Sequence, residues 1–169
     1  IVWAGENELF VIPFDPSKLE ATCEAVSVIQ DVFRDPAPQY AVSDSGTLIY
    51  VAGRRIQNIR PFLGGRRAQR KLVWVDRQGK VAEIPASPNI YYDPSLSPDG
   101  TKVAVTVNTE RGSRDIHILD LSRETRMRLT FNENSTDPLW TPDGQRVAFL
   151  AGEGDERGIY WKAADGRGT

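Results

Sequence analysis

Asp93 and Asp137 stand 44 positions apart, each directly ahead of a proline, and the turn glycines Gly100 and Gly144 keep the same interval. Carboxylates repeated in this way near the axis of a ring are hard oxygen ligands of the kind calcium takes. The plainer assignment is that each accepts nearby backbone N–H groups ahead of Pro94 or Pro138 and holds its loop in shape. A residue present in every good copy of a repeat ordinarily serves the repeat, so no metal site is expected. His117 is the single histidine, so any histidine-rich metal centre or histidine-paired nucleophile would have to use it. It sits between Ile116 and Ile118 in an alternating apolar run, as a partly exposed or hydrogen-bonded strand residue would. Cys23 is the single cysteine and is expected as a small buried hydrophobe. There is no Gly-x-Ser-x-Gly elbow and no His-Glu-x-x-His motif. The expectation is therefore a protein that is not an enzyme and takes no cofactor.

A second group of residues points to binding. Arg54, Arg55, Arg60, Arg66, Arg67, Arg70 and Lys71 fall within 18 positions and account for 7 of the 21 basic residues, with no acidic residue among them. Ile56, Ile59 and Phe62 add apolar contacts, and Gly64-Gly65 a flexible tip. Loops longer than about 12–15 residues in compact domains are disproportionately functional or disordered. Such a loop suits a phosphate, an acidic partner or nucleic acid, although a solvated loop without a defined site would have the same composition. The absence of interleaved aromatics argues against single-stranded nucleic acid.

The elements that must position these residues are visible as a repeat. Asp93–Val105 and Asp137–Phe149 share a Ser/Thr-Pro-Asp-Gly turn followed by a basic or polar residue and an apolar run. A weaker copy runs from Gln39 to Val51, with its Gly46 54 residues before Gly100; the ten extra positions fall between Gly53 and Arg70. Proline at the second turn position presets φ, aspartate bonds to its own backbone, and glycine accepts positive φ. Each turn leads into an apolar strand (48–51, 103–107, 147–150), then a β-branched and aromatic one (71–76, 115–120, 158–162). A short closing strand is expected over 81–84 and again over 126–130. A period near 40–45 residues built from four antiparallel strands is that of a propeller blade.

The expected fold is all-β, a β-propeller forming part of a ring, with about four blades at 1–35, 36–86, 87–131 and 132–169. The first and last blades are incomplete, so the blades carry three, four, four and three strands. Loops entering the innermost strand and loops joining strands two and three share one rim. That rim carries Tyr91, Tyr92, Asp93, Ser135, Thr136 and Asp137, and the loops 53–70, 108–114 and 151–157. Trp74, Trp140 and Trp161 are expected as packing between blades.

Charge excludes some partners. Lys plus Arg number 21 against 23 for Asp plus Glu, a net charge of −2, which offers no whole-domain field for nucleic acid or an anionic membrane. No apolar run approaches the ~18–20 residues that span a bilayer. The chain opens on Ile1 and its end blades are incomplete, so a fragment of a larger ring is expected. The missing strands would be covered by more polypeptide or by another copy.

The turns at Ser97–Val105 and Thr141–Phe149 resemble the TolB-like, or WD40-like (PD40), propeller repeat of bacteria. The wider order of 41–50, 71–79 and 161–166 is similar to the propeller region attached to bacterial serine/threonine kinases of eukaryotic type. No kinase motif accompanies it. The resemblance implies a non-catalytic binding or sensing propeller, periplasmic or extracellular. Its partner, a protein or small ligand, would meet Arg54, Arg55, Arg60, Arg66, Arg67, Arg70, Tyr91, Tyr92, Asp93 and Asp137. The alternative is a propeller that gates substrate access in a hydrolase of the prolyl-oligopeptidase kind, which uses similar repeats.

Overall fold

The repeated turn is wired twice by equivalent atoms. Ser97 Oγ donates to Asp99 Oδ1 at 2.6 Å and the Thr101 N–H to the same oxygen at 3.0 Å. In the later copy Thr141 Oγ1 donates to Asp143 Oδ1 at 2.6 Å and the Gln145 N–H at 2.9 Å. These bonds, the hydroxyl first, hold both carboxyl groups below the usual aspartate range. Gly100 and Gly144 close the turns at φ 71° and 67°, a conformation that a Cβ disfavours. The turn of the earlier copy is a residue shorter. There the Ser43 N–H reaches the Thr47 carbonyl, whereas the Ser97 and Thr141 N–H groups reach Lys102 and Arg146.

The computed structural model describes residues 1–5, 8–43, 46–53, 69–75, 80–87, 89–109 and 111–167. Its strands are β1 (Val2–Ala4), β2 (Glu8–Val11), β3 (Phe14–Asp15), β4 (Glu20–Ala21), β5 (Val26–Gln30), β6 (Tyr40–Val42), β7 (Leu48–Val51) and β8 (Leu72–Val75). There follow β9 (Val81–Glu83), β10 (Ile90–Leu96), β11 (Lys102–Asn108), β12 (Arg114–Asp120), β13 (Thr125–Arg128), β14 (Ser135–Trp140), β15 (Arg146–Ala151) and β16 (Gly158–Ala163). They form four antiparallel sheets in the orders β1-β2-β5, β6-β7-β8-β9, β10-β11-β12-β13 and β14-β15-β16. The fold is thus an all-β propeller segment, with sheets of three, four, four and three strands. A small hairpin, β3-β4, extends the loop between β2 and β5. Among the described residues the one helix is a single 3-10 turn, Gly154–Glu156.

Alternating faces of each sheet feed a core on either side, which is why the strands read as nearly continuous apolar runs. Leu9, Ile29, Leu48, Tyr50 and Val75 fill the gap between the first and second sheets. Ile49, Val51, Leu72, Val103, Val105 and Leu119 fill the next. Ala104, Ile116, Ile118, Trp140, Val147 and Phe149 fill the third. Trp74 packs against the second of these cores and Trp140 belongs to the third. Trp161 does not follow the expectation: it is exposed, and among the described residues no sheet packs on that face of the fourth. Cys23 also departs from it. It lies exposed between β4 and β5, where the short hairpin has no second layer to cover it.

Candidate functional site

At the junction of the second and third sheets the Arg70 N–H donates to the Asn89 carbonyl at 2.7 Å, and the Asn89 N–H returns to Arg70 at 3.1 Å. One junction later the Arg114 N–H donates to the Glu133 carbonyl at 2.8 Å, and Arg114 Nη2 to Asn134 Oδ1 at 3.0 Å. Asn134 Nδ2 in turn donates to the Gly152 carbonyl at 3.0 Å. At these two junctions the residues entering an innermost strand are therefore tied to residues that lead into or out of the neighbouring sheet's second and third strands.

Asp93 and Asp137 do not lie in the loops at the rim, as expected; they sit inside β10 and β14 at matching bends, because each innermost strand begins three and two residues earlier, at Ile90 and Ser135. The pairing of β10 with β11 jumps between Tyr92 and Ser95, and that of β14 with β15 between Thr136 and Leu139. The two aspartates adopt φ 50° and 55°, left-handed values that aspartate tolerates better than most residues. Thr106 Oγ1 donates to Asp93 Oδ2 at 3.1 Å. The Asp93 carboxylate also faces the backbone N–H of Asp137. Burial, followed by the Asp137 charge, pushes Asp93 above the usual carboxylate range, while Thr106, the Asp137 N–H and Gln39 act in the opposite sense. Asp137 itself is exposed.

The sequence reading overlooked the third member of this series. Gln39 stands four positions before Ser43, as Asp93 does before Ser97 and Asp137 before Thr141. Its Oε1 accepts the Asp93 N–H. The orientation of the amide is set by Nε2, which donates to the Ala37 carbonyl at 3.1 Å. A search for repeated carboxylates misses an amide, although both supply the same acceptor oxygen. The signal was the spacing to the turn serine. Among the described residues no group of three or more His, Cys, Asp or Glu side chains is placed to hold a metal ion.

The remaining candidates divide. Arg54, Arg55, Arg60, Arg66 and Arg67 lie outside the described residues. Arg70 lays its guanidinium 3.5 Å above the Phe33 ring, and Tyr92 meets the same ring edge-on with centroids 5.7 Å apart. Burial lowers the Arg70 pKa, against the pull of Tyr92 and Asp35. Tyr91 is fully buried and its hydroxyl donates to the Ser87 carbonyl at 2.7 Å, so its ring packs between sheets and is not presented at the rim. A cavity of about 270 Å³ opens beside the third junction, lined by Arg114, Asn134, Thr136, Gly152, Glu153 and Arg157. It falls in the loop 151–157 that the repeat had placed on this rim.

His117 lies on the face of β12 opposite Ile116 and Ile118, half-buried, and its Nδ1 is buried without a hydrogen-bond partner. Burial, then Arg126 and Arg128, lowers its pKa to about 4, with Asp115 opposing. It is therefore neutral at physiological pH.

Sheets packed face to face, with matched turns and bends, define a β-propeller segment of the TolB-like kind. No protein-family model matches the chain. It is 37% identical over 142 residues to the Tol-Pal system protein TolB of Alcanivorax borkumensis, covering 72% of this chain and 31% of that one. It is also 37% identical over 81 residues to an uncharacterized peptidase, YuxL, of Bacillus subtilis, covering 44% of this chain and 12% of the relative. Among solved structures, a TolB-type protein from Agrobacterium tumefaciens superposes with a TM-score of 0.69 at 17% identity, over 99% of this chain and 55% of that one. The chain thus spans less than a third of the length of either of these curated relatives. Among the described residues no helix is long and apolar enough to cross a membrane.

Proposed function

We propose that this chain is a non-catalytic, partner-binding segment of a larger propeller, with blades at 1–35, 36–86, 87–131 and 132–169. What supports the reading is Arg70, at the end of the arginine-rich segment: its backbone pairs with Asn89 at the entry to β10, and its guanidinium shares the Phe33 ring with Tyr92. The partner is a protein or small ligand bearing negative charge, met by Arg54, Arg55, Arg60, Arg66 and Arg67. Similarity to TolB proteins supports a periplasmic or extracellular setting, and the order of the sequence segments supports a sensor propeller of the kind attached to bacterial kinases. The test is affinity capture of partners from a periplasmic extract, followed by titration of the captured species against the protein and against an Arg66→Glu, Arg67→Glu variant. Binding should weaken at least tenfold in the variant and fall with added salt. Equal binding across salt concentrations would remove the loop from the site.

The similarity to the YuxL peptidase favours a second reading, a propeller that controls access to a separate hydrolase domain. Labelling of the full-length gene product by a serine-hydrolase probe would select it.

A further inference from the structure

Two opposite charges that could satisfy each other are held apart at the junction of the third and fourth sheets. Glu153 and Arg157 flank the 3-10 turn Gly154–Glu156, and both line the cavity of about 270 Å³. The turn is tightly folded: the Glu156 N–H donates to the Glu153 carbonyl at 3.0 Å, and the Glu156 carbonyl oxygen would lie 2.3 Å from a Cβ at Gly152. Among the described residues Glu153 and Arg157 nevertheless form no ion pair, with each other or with any other side chain. Asp155 and Glu156, within the turn, do not line the cavity.

Arg114 lines the same cavity. Its N–H, like that of Arg70 44 positions earlier, pairs with the segment entering the next sheet. The side chains differ. Arg70 lies over the Phe33 ring, whereas Arg114 is exposed and donates from Nη2 to Asn134 Oδ1 at 3.0 Å. Asn134 Nδ2 donates to the Gly152 carbonyl at 3.0 Å and lies 3.4 Å from Glu153 Oε1, so the amide oxygen is the atom turned to Arg114. Among the described residues that bond takes one of the five guanidinium donors.

The cavity wall thus carries two guanidiniums and one carboxylate, joined through one fixed amide. Its volume falls just below the range of about 300–1,000 Å³ that holds drug-sized ligands, which suits a smaller molecule. A guanidinium takes a carboxylate through two parallel hydrogen bonds. A simple dianion such as phosphate would also meet Glu153, which repels it. A molecule with two carboxylates and one ammonium matches every charge on the wall.

We propose that this cavity binds a free acidic α-amino acid, glutamate or aspartate, with its carboxylates on Arg114 and Arg157 and its ammonium on Glu153. The site goes beyond the partner-binding reading, because it uses none of Arg54, Arg55, Arg60, Arg66 and Arg67.

The test is calorimetric titration of the chain with L-glutamate and L-aspartate up to millimolar concentration. Saturable binding of at least one is expected. Glutarate lacks the ammonium and L-glutamine the second carboxylate, so each should bind at least about tenfold more weakly than L-glutamate, the scale of one charged hydrogen bond. Arg157→Gln should weaken binding by a similar factor and leave the melting temperature unchanged. Glu153→Gln should reverse the preference, so that glutarate binds at least as well as L-glutamate; a purely structural role for Glu153 would not do this. Should Arg157→Gln fail to fold, the preference of Glu153→Gln decides alone. The proposal is overturned if neither amino acid binds saturably, or if glutarate or inorganic phosphate binds the parent as tightly as L-glutamate. Arg66→Glu, Arg67→Glu should bind L-glutamate as the parent does. Loss of binding in that variant would move the ligand to the arginine-rich segment and also overturn the site, whereas loss of partner capture alone would leave it standing.

Discussion

The carboxylate of Asp93 faces the backbone N–H of Asp137, its own counterpart one repeat later. The repeated aspartate therefore acts across the gap between wedges as well as within its own sheet. Two substitutions separate the acceptor from the charge. Asp93→Ala removes the acceptor of the Thr106 hydroxyl and of the Asp137 N–H, and should cost about 1–3 kcal/mol in urea unfolding. Asp93→Asn keeps an acceptor and removes the charge that burial and Asp137 disfavour, so it should match or exceed the parent at pH 7. The sign follows from the raised pKa. The contribution of Asp93 is complete below the unfolded value of about 3.9 and is lost as pH rises through the folded value. An asparagine variant as damaged as the alanine one would mean that the charge itself is needed, as a bound cation would require.

Gly152 and Gly112 share a left-handed backbone, φ 89° and 93°, but not the space around it. A Cβ at Gly152 would lie 2.3 Å from the Glu156 carbonyl oxygen, while one at Gly112 meets nothing within 4 Å. Gly112→Ala should cost about 1 kcal/mol from backbone strain alone. Gly152→Ala should cost clearly more, because the single helical turn at Gly154–Glu156 must move, and the cavity beside Arg157 with it. Equal thermal shifts in the two variants would show that the loop yields freely.

The sequence made the architecture legible because the turn chemistry is local. Ser97, Asp99 and Gly100 specify their bond pattern without help from the rest of the chain, and Thr141, Asp143 and Gly144 repeat it. The strand counts of the four sheets followed from that spacing. What stayed hidden depended on neighbours. Trp161 resembles Trp74 in sequence, and only the presence or absence of a following sheet decides whether it is covered. Cys23 has an apolar composition but no layer above it. Gln39 was concealed by its chemistry, since its link to Asp93 runs between segments 54 residues apart. Tyr91 and Tyr92 are adjacent in sequence, yet the first is buried between sheets and the second meets Phe33 at the rim.

His117 should make stability fall on mild acidification. Its folded pKa of about 4 lies below the unfolded value of about 6.5, so the unfolded chain binds more protons between those limits. The stability linked to neutral His117 is complete above pH 6.5 and is lost as pH falls toward 4. The melting temperature should therefore decline through that window, and His117→Gln should flatten the decline. Arg126 and Arg128 sharpen the effect by opposing a second positive charge. An unchanged slope in the variant would assign the acid sensitivity to carboxylates elsewhere.

Arg70 can be tested as a packing residue apart from any role in binding. Its guanidinium lies flat on a buried phenyl ring, an arrangement that a lysine ammonium reproduces poorly. Arg70→Lys should cost about 1 kcal/mol, within the range of a partly desolvated cation–π contact. Phe33→Leu will cost more on its own, because it also opens space in the core between the second and third sheets. The informative quantity is the coupling in a double-mutant cycle, which should reach about 0.5–2 kcal/mol if the two side chains act as a unit. A coupling near zero would free Arg70 from this role and make its charge fully available to a partner. Strong coupling together with unchanged partner binding in Arg70→Lys would instead make Arg70 the rigid post on which the arginine-rich loop hangs, leaving recognition to Arg54, Arg55, Arg60, Arg66 and Arg67.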